Sequence, residues 1–194
     1  MNSKSLHIIR SEHSALAAML RSMRMMLRRG PDEDQARFFE VLRAMLFYVD
    51  EFPERLHHPK ESELLFPRVR QVSKEGAQAV DELERQHESS LKMVRELQHL
   101  LLAWELLGET RRDAFTVSCE RFIDFYLHHM QLEEEQVLPL ALKHLAEADW
   151  QVLDAAFEAN KDPLSSQGGI EPIYEALFRR IVNHAPQPIG LGER

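Results

Sequence analysis

The run His57-His58-Pro59-Lys60-Glu61, with Leu65-Phe66-Pro67 behind it, recurs 72 residues later as His129 and Glu133 with Val137-Leu138-Pro139 behind them. In both copies a glutamate follows a histidine by four positions, and an apolar-apolar-proline triplet begins four positions further on. The His-x3-Glu spacing alone carries little. Ten histidines and 32 acidic residues in 194 give roughly 1.6 such pairs by chance. The longer match exceeds chance, and a second offset agrees with it: His13 and His87 are 74 residues apart. Two related helical hairpins, residues 1–71 and 72–145, explain both offsets, each giving one histidine from its first helix and a His-Glu pair from its second.

Apolar residues recur at steps of three and four over long stretches, and strand-like alternation is missing, which predicts an all-α chain. The first helix is expected from about Ser5 to Arg29, with Leu6, Ile9, His13, Leu16, Leu20, Met23 and Leu27 inward. Gly30-Pro31-Asp32 should end it and cap the next. That second helix carries Phe38, Leu42, Met45 and Val49, and Pro53 and Pro59 should break or kink it before it resumes to about Arg70. A third helix is expected from about Glu75 to Leu107 with Val80, Leu83, His87, Val94 and Leu101 inside. A fourth runs from about Arg111 to Leu145 with Phe115, Cys119, Phe122, Tyr126, His129, Glu133, Val137 and Leu140 on one stripe. The fold expected is an antiparallel up-down-up-down four-helix bundle over residues 1–146. Residues 147–185 should form a short helical extension packed on the bundle, and 186–194 a disordered tail.

Ligands of one site must share a height in the bundle. His57 and His87 are equally far from the turn near residue 72, and His87 and His129 nearly so from the turn near 109, which puts these pairs level within about 3 Å. The first hairpin has an excess on its second arm equal to about 15 Å of straight helix. Residues 50–56 are therefore expected to bulge outward.

Within each pair, four residues make one turn, so imidazole and carboxylate point together into the bundle. His13, His57, Glu61, His87, His129 and Glu133 are the candidate metal ligands. This donor mix suits iron, with Mn or Zn as substitutes, and not an all-oxygen Mg or Ca cage. Two carboxylates at apolar-stripe positions need a metal or a partner. His58 and His128 sit about 100° round a regular helix from the ligands and are expected either to stand behind them or to face solvent, with His58 able to replace His57 if the Pro59 region distorts the turn. His7, His99, His144 and His184 read as surface residues. Tyr126, one turn before His129, reads first as a packing residue, with a hydrogen bond into the pocket as the alternative. The pairs Glu54/His57 and Glu84/His87 suggest a ferritin-like di-iron pattern, but that arrangement leaves His13 and the longer repeat unexplained.

Over residues 5–145 the sequence resembles the hemerythrin-like, or HHE cation-binding, family, through His13, His57-His58-Pro59-Lys60-Glu61 with Leu65-Phe66-Pro67, His87, and His129 to Glu133 with Leu138-Pro139. The resemblance implies a four-helix bundle holding two iron ions, oxo- or hydroxo-bridged and joined by two carboxylates. The oxygen-carrying members have five histidines, where four are matched here. The Cys-containing N-terminal segment of the iron-sulfur repair members is absent.

A net charge of -8 argues against a nucleic-acid or anionic-membrane grip. The lone Cys119 excludes an internal disulfide, and no signal-like or membrane-spanning stretch is visible, so a cytoplasmic setting is expected. The expected function is binding or sensing of O2, NO or peroxide by a di-iron centre in iron, oxygen or nitrosative stress. The alternatives are an oxidoreductase that reduces peroxide or NO, and a helical interaction module with a structural metal. A homodimer is compatible with the sequence.

Overall fold

The computed structural model describes residues 3–31, 33–165 and 171–192. Among these the chain is all-helical, with six helices and no strand. Helix α1, Lys4–Arg29, buries the expected stripe and also Ile8, Glu12, Ala15, Met19, Ser22 and Met26. Its buried face is wider than a bundle alone requires because the C-terminal extension covers a second flank. Gly30, at φ 72°, ends it and returns its N–H to Met26. Asp32, expected to cap the next helix, lies outside the described residues. Asp34 does the capping, accepting from Arg37 N at 3.1 Å.

Helix α2 runs without a break over residues 35–72, where a kink or outward bulge was expected. Two stretches, Asp50–His57 and Glu61–Leu65, are π-helical instead. Helix α3, Lys74–Leu107, starts at Ser73, whose side chain accepts from Gly76 N at 3.0 Å, and ends at Gly108 with φ 84°. Helix α4 spans residues 112–144 and has its own π stretch, Glu133–Val137.

The π turns share a cause. Their closing bonds, His58 N–H to Pro53 O, Phe66 N–H to Glu61 O and Leu138 N–H to Glu133 O, each span five residues, and each donor is followed directly by a proline. A proline ring inside an α-helix collides with the carbonyl four residues back. Widening the preceding turn relieves that collision and keeps the helix continuous. The wider turns at Asp50–His57 shorten the second arm of the first hairpin and take up part of its slack.

The four long helices pack antiparallel, α3 between α2 and α4, and α1 against α4. Gly76 lets them converge: a Cβ there would lie 2.7 Å from Val69 Cγ1. The core is split into two apolar clusters. One holds Leu16, Leu20, Met23, Met45, Phe52, Trp104, Phe122 and Tyr126, the other Ile9, Leu65, Phe66, Leu83, Val137 and Leu138. A polar layer at the height of His13 separates them.

Helix α5, Glu147–Phe157, lies along α1 with Trp150, Leu153 and Phe157 in the second cluster, and Asp154 accepts from Ser3 Oγ, Ser5 N and Ser5 Oγ at 2.7–2.9 Å. Helix α6, Glu175–His184, packs on α2 and buries Ile181 in the first cluster. The tail expected to be disordered is a packed turn through Gly192. Ser22 Oγ donates to Pro186 O at 2.7 Å and accepts from Ile189 N at 3.1 Å, which ties the turn to α1. No described helix is long and apolar enough to cross a membrane.

Candidate metal centre

The layer between the clusters contains all six residues singled out from the sequence. Two buried groups emerge, each with ligand atoms within 4.8 Å of one another: His13, His57, Glu61 and Glu133, and His58, Glu61, His87 and His129. Glu61 belongs to both. The ten histidines divide evenly, because His7, His99, His128, His144 and His184 are exposed.

His58 corrects the sequence expectation. Regular α-helical geometry puts it behind the ligands or toward solvent, and the sequence matches four histidines where the oxygen carriers have five. The structure buries it at 5 % exposure inside the second group, so five imidazoles surround this layer. The π turn closing on His58 N–H changes the angular step between neighbours, and consecutive residues reach opposite sides of Glu61. The signal was in the sequence: Pro53 and Pro59 flank the histidine pair.

Outer partners fix the rings. His57 Nδ1 meets Glu12 Oε2 at 2.6 Å, His13 Nδ1 meets Glu134 Oε1 at 2.9 Å, His87 Nδ1 meets Ser62 Oγ at 2.9 Å, and His129 Nδ1 meets Gln86 Oε1 at 2.9 Å. With Nδ1 engaged, Nε2 is the atom each ring has left to offer a metal. His58 Nδ1 lies 3.5 Å from Glu54 Oε2. Tyr126, which reads from the sequence first as a packing residue, donates its hydroxyl to Glu54 and lies parallel to His58 at 5.9 Å. Glu12 and Gln86 each stand next to a ligand in sequence and were missed because a single helical stripe excludes them.

The inward atoms have no hydrogen bonds to satisfy them. Among the described residues nine buried side-chain nitrogen or oxygen atoms are unpartnered. Eight of them belong to His57, His58, Glu61, His87, His129 and Glu133. Both oxygens of Glu61 and both of Glu133 are included, although each residue is fully buried. His57 Nε2 and Glu61 Oε1 approach to 2.7 Å without hydrogen-bond alignment, as two donors facing one cation do. Buried carboxylates and imidazoles left in this state fit a metal ion, and no hydrogen-bonding group among the described residues supplies the compensation.

In the protein without metal, protons take part of that role. Burial opposes charge on His13, but Glu133 and Glu134 outweigh it and raise its pKa to about 9. Burial likewise opposes charge on His57, and Glu61 and Glu12 raise its pKa well above the usual imidazole value. Burial and the neighbouring Glu61 push Glu133 up to about 7. Burial and then His87 depress both His58 and His129, which stay neutral and ready to ligate.

A cavity adjoins the site. It admits the centre of a water-sized sphere over about 20 Å³, and its walls include Leu16, Phe52, Leu56 and Met130 beside His13, His57, His58 and His129. That is room for about one small molecule.

Comparison with known proteins agrees with this geometry. Residues 4–141 match the Hemerythrin HHE cation binding domain family. A protein of Haemophilus influenzae described as an "Uncharacterized protein" is 38% identical over 79 residues, which cover 41% of this chain and 45% of that protein.

Proposed function

The chain belongs to the hemerythrin HHE cation-binding domain family, and from that premise we propose that it binds two iron ions, one in each buried group, and uses them to bind or sense O2 or a related small ligand such as NO or peroxide. The observation that carries this reading is the set of unpartnered atoms that His57, His87, His129, Glu61 and Glu133 turn into the two buried groups. Imidazole with carboxylate suits iron, and Mn or Zn can substitute. Bound iron would supply the redox-active position at which a diatomic ligand attaches. The chain's own residues do the rest. Glu12, Glu134, Ser62 and Gln86 hold the rings in place. Leu16, Phe52, Leu56 and Met130 keep the adjoining cavity small and apolar. A cytosolic setting fits the single buried thiol, Cys119.

Reduction of peroxide or NO is the second reading, favoured by Tyr48 and Asp162 in the cavity wall, where Tyr48 OH donates to Asp162 Oδ2 at 2.8 Å. Such a reduction consumes protons, and it requires an external electron donor. Anaerobic Fe(II) loading followed by O2 or NO, with visible absorption and turnover recorded together, separates the two. A ligand-dependent absorption change without turnover is expected. Sustained turnover with peroxide and a reductant establishes the enzyme instead, and an iron-loaded protein whose spectrum ignores every ligand overturns both.

A further inference from the structure

The segment after α5 turns back toward the site. Phe157 sets its ring edge-on to His57, with centroids 5.7 Å apart. Asn160 and Asp162 follow, only 4 % and 3 % exposed, and both line the cavity beside the metal centre. Between them Lys161 adopts φ 48°, a left-handed conformation that a residue with a side chain rarely takes. Such a backbone persists where its surroundings over-determine it. Here the two flanking side chains are both anchored inside: Asp162 on Tyr48, and Asn160 on Glu12.

The Asn160 contacts form a chain. Its Nδ2 donates to both carboxylate oxygens of Glu12 at 3.0 Å, and Glu12 Oε2 meets His57 Nδ1 at 2.6 Å. At the other end Lys60 Nζ donates to Asn160 Oδ1. An ammonium has only protons to give, so it fixes which end of the amide faces Glu12. Glu12 is itself only 7 % exposed. Without Asn160 its carboxylate is free to rotate off the imidazole.

Among the other rings only His58 has a buried carboxylate behind it, Glu54, which accepts from Tyr126 but stands farther off, at 3.5 Å. Glu134, on His13, has 39% of its side chain exposed, and His87 and His129 rest on a neutral hydroxyl and a neutral amide. We propose that Asn160 is a positioning residue of the metal centre, holding Glu12 against His57, so that the C-terminal extension beyond residues 4–141 of the family match completes the site. This rests on the reading of the polar layer as a two-metal site. A carboxylate behind a ligating imidazole orients the ring and makes it a stronger donor, and loss of such a partner weakens metal affinity about 10–100-fold. The effect falls on the ion in the His13, His57, Glu61 and Glu133 group. The His58, His87 and His129 ion is reached only through the shared Glu61.

Titration of the full-length metal-free protein with Co2+ against a competing chelator, followed by the visible spectrum of each step, tests it. Asn160→Leu keeps the side-chain bulk and removes the amide. It is expected to weaken one of two binding steps about 10–100-fold, to shift the spectrum of that step alone, and to add nothing further in a Glu12→Gln background. Lys60→Met, at a half-buried position, should weaken the same step by a smaller factor and gives the result if Asn160→Leu does not fold. Two wild-type-like steps in Asn160→Leu, or in Lys60→Met where only that variant folds, overturn the inference and leave the metal centre standing. Equal weakening of both steps, or a loss that adds fully to that of Glu12→Gln, also overturns it, because a general packing defect behaves that way. Wild-type protein that takes up no cobalt overturns the metal reading and this inference with it.

Discussion

The ring of His58 lies parallel to that of His87, with centroids 4.0 Å apart and planes within 13°. This stack places His58 in the same buried group as His87 and His129, although its neighbour His57 belongs to the other group. Consecutive residues of one helix thereby belong to two groups that could each hold a metal ion, with Glu61 common to both. The widened turn that permits this is closed by His58 N–H to Pro53 O.

It follows that His58→Ala should lower metal content from two ions per chain to one, and His57→Ala should do the same by removing the other ion. His128→Ala, at an exposed position, should leave both. Elemental analysis after gel filtration reads the stoichiometry. Two tightly held ions in His58→Ala would mean that the stack is only packing.

The shared and unshared carboxylates should behave differently. Glu61 stands in both groups and Glu133 in one. Glu61→Gln is expected to abolish tight binding of both ions, whereas Glu133→Gln should retain the ion held by His58, His87 and His129. Competition titrations compare them, and equal losses in the two variants would contradict the assignment of Glu61 as the common ligand.

Much of this was legible in the sequence, for reasons tied to helical period. The inward stripes of α1 and α3 follow a regular α repeat, so Leu6, Ile9, Leu83 and Val94 fell where expected. Gly30 and Gly108 marked turns that need positive φ. His13, His57, Glu61, His87, His129 and Glu133 emerged from the repeat and meet in one layer. His58 was misplaced because a fixed angular step was assumed across the proline-bounded turns, where the backbone is π-helical. Asn160 and Asp162 lie in a loop without period, and only the tertiary fold brings them to Glu12 and Tyr48. The tail looked disordered from its Pro and Gly content, yet its backbone is held by Ser22, a contact across 164 residues of sequence.

Metal removal should cost stability. Any ion that binds only the folded state at about 100 times its Kd adds ~2.7 kcal/mol, and for a chain of this size that corresponds to a Tm shift of roughly 5–11 °C. Calorimetry with and without a chelator checks it. The helices should persist in the metal-free protein, since both apolar clusters lie outside the polar layer. Complete unfolding on chelation would instead make the metal a folding staple.

Asp162 predicts a pH dependence. Burial raises its pKa from 3.8 to about 6. Between those values the folded protein keeps a proton that the unfolded chain has lost, so the stability contributed by the protonated carboxyl is lost as pH rises through about 6. Asp162→Asn should therefore become more stable relative to wild type from about pH 4 to pH 6 and hold that gain above it, by up to ~3 kcal/mol. Denaturant unfolding of the metal-free proteins at pH 4.5 and 7.5 measures the difference. A stability difference between the two proteins that does not change with pH would show that the Asp162 carboxyl titrates normally.

One buried layer is proposed to hold two metal ions, with Glu61 common to both. Anomalous diffraction from iron-loaded crystals, collected on both sides of the iron edge, tests it most directly. Two peaks are predicted, one among His13, His57 and Glu133 and one among His58, His87 and His129, with Glu61 reaching both. A single peak, or iron bound only outside this layer, would rule out a two-metal site around Glu61.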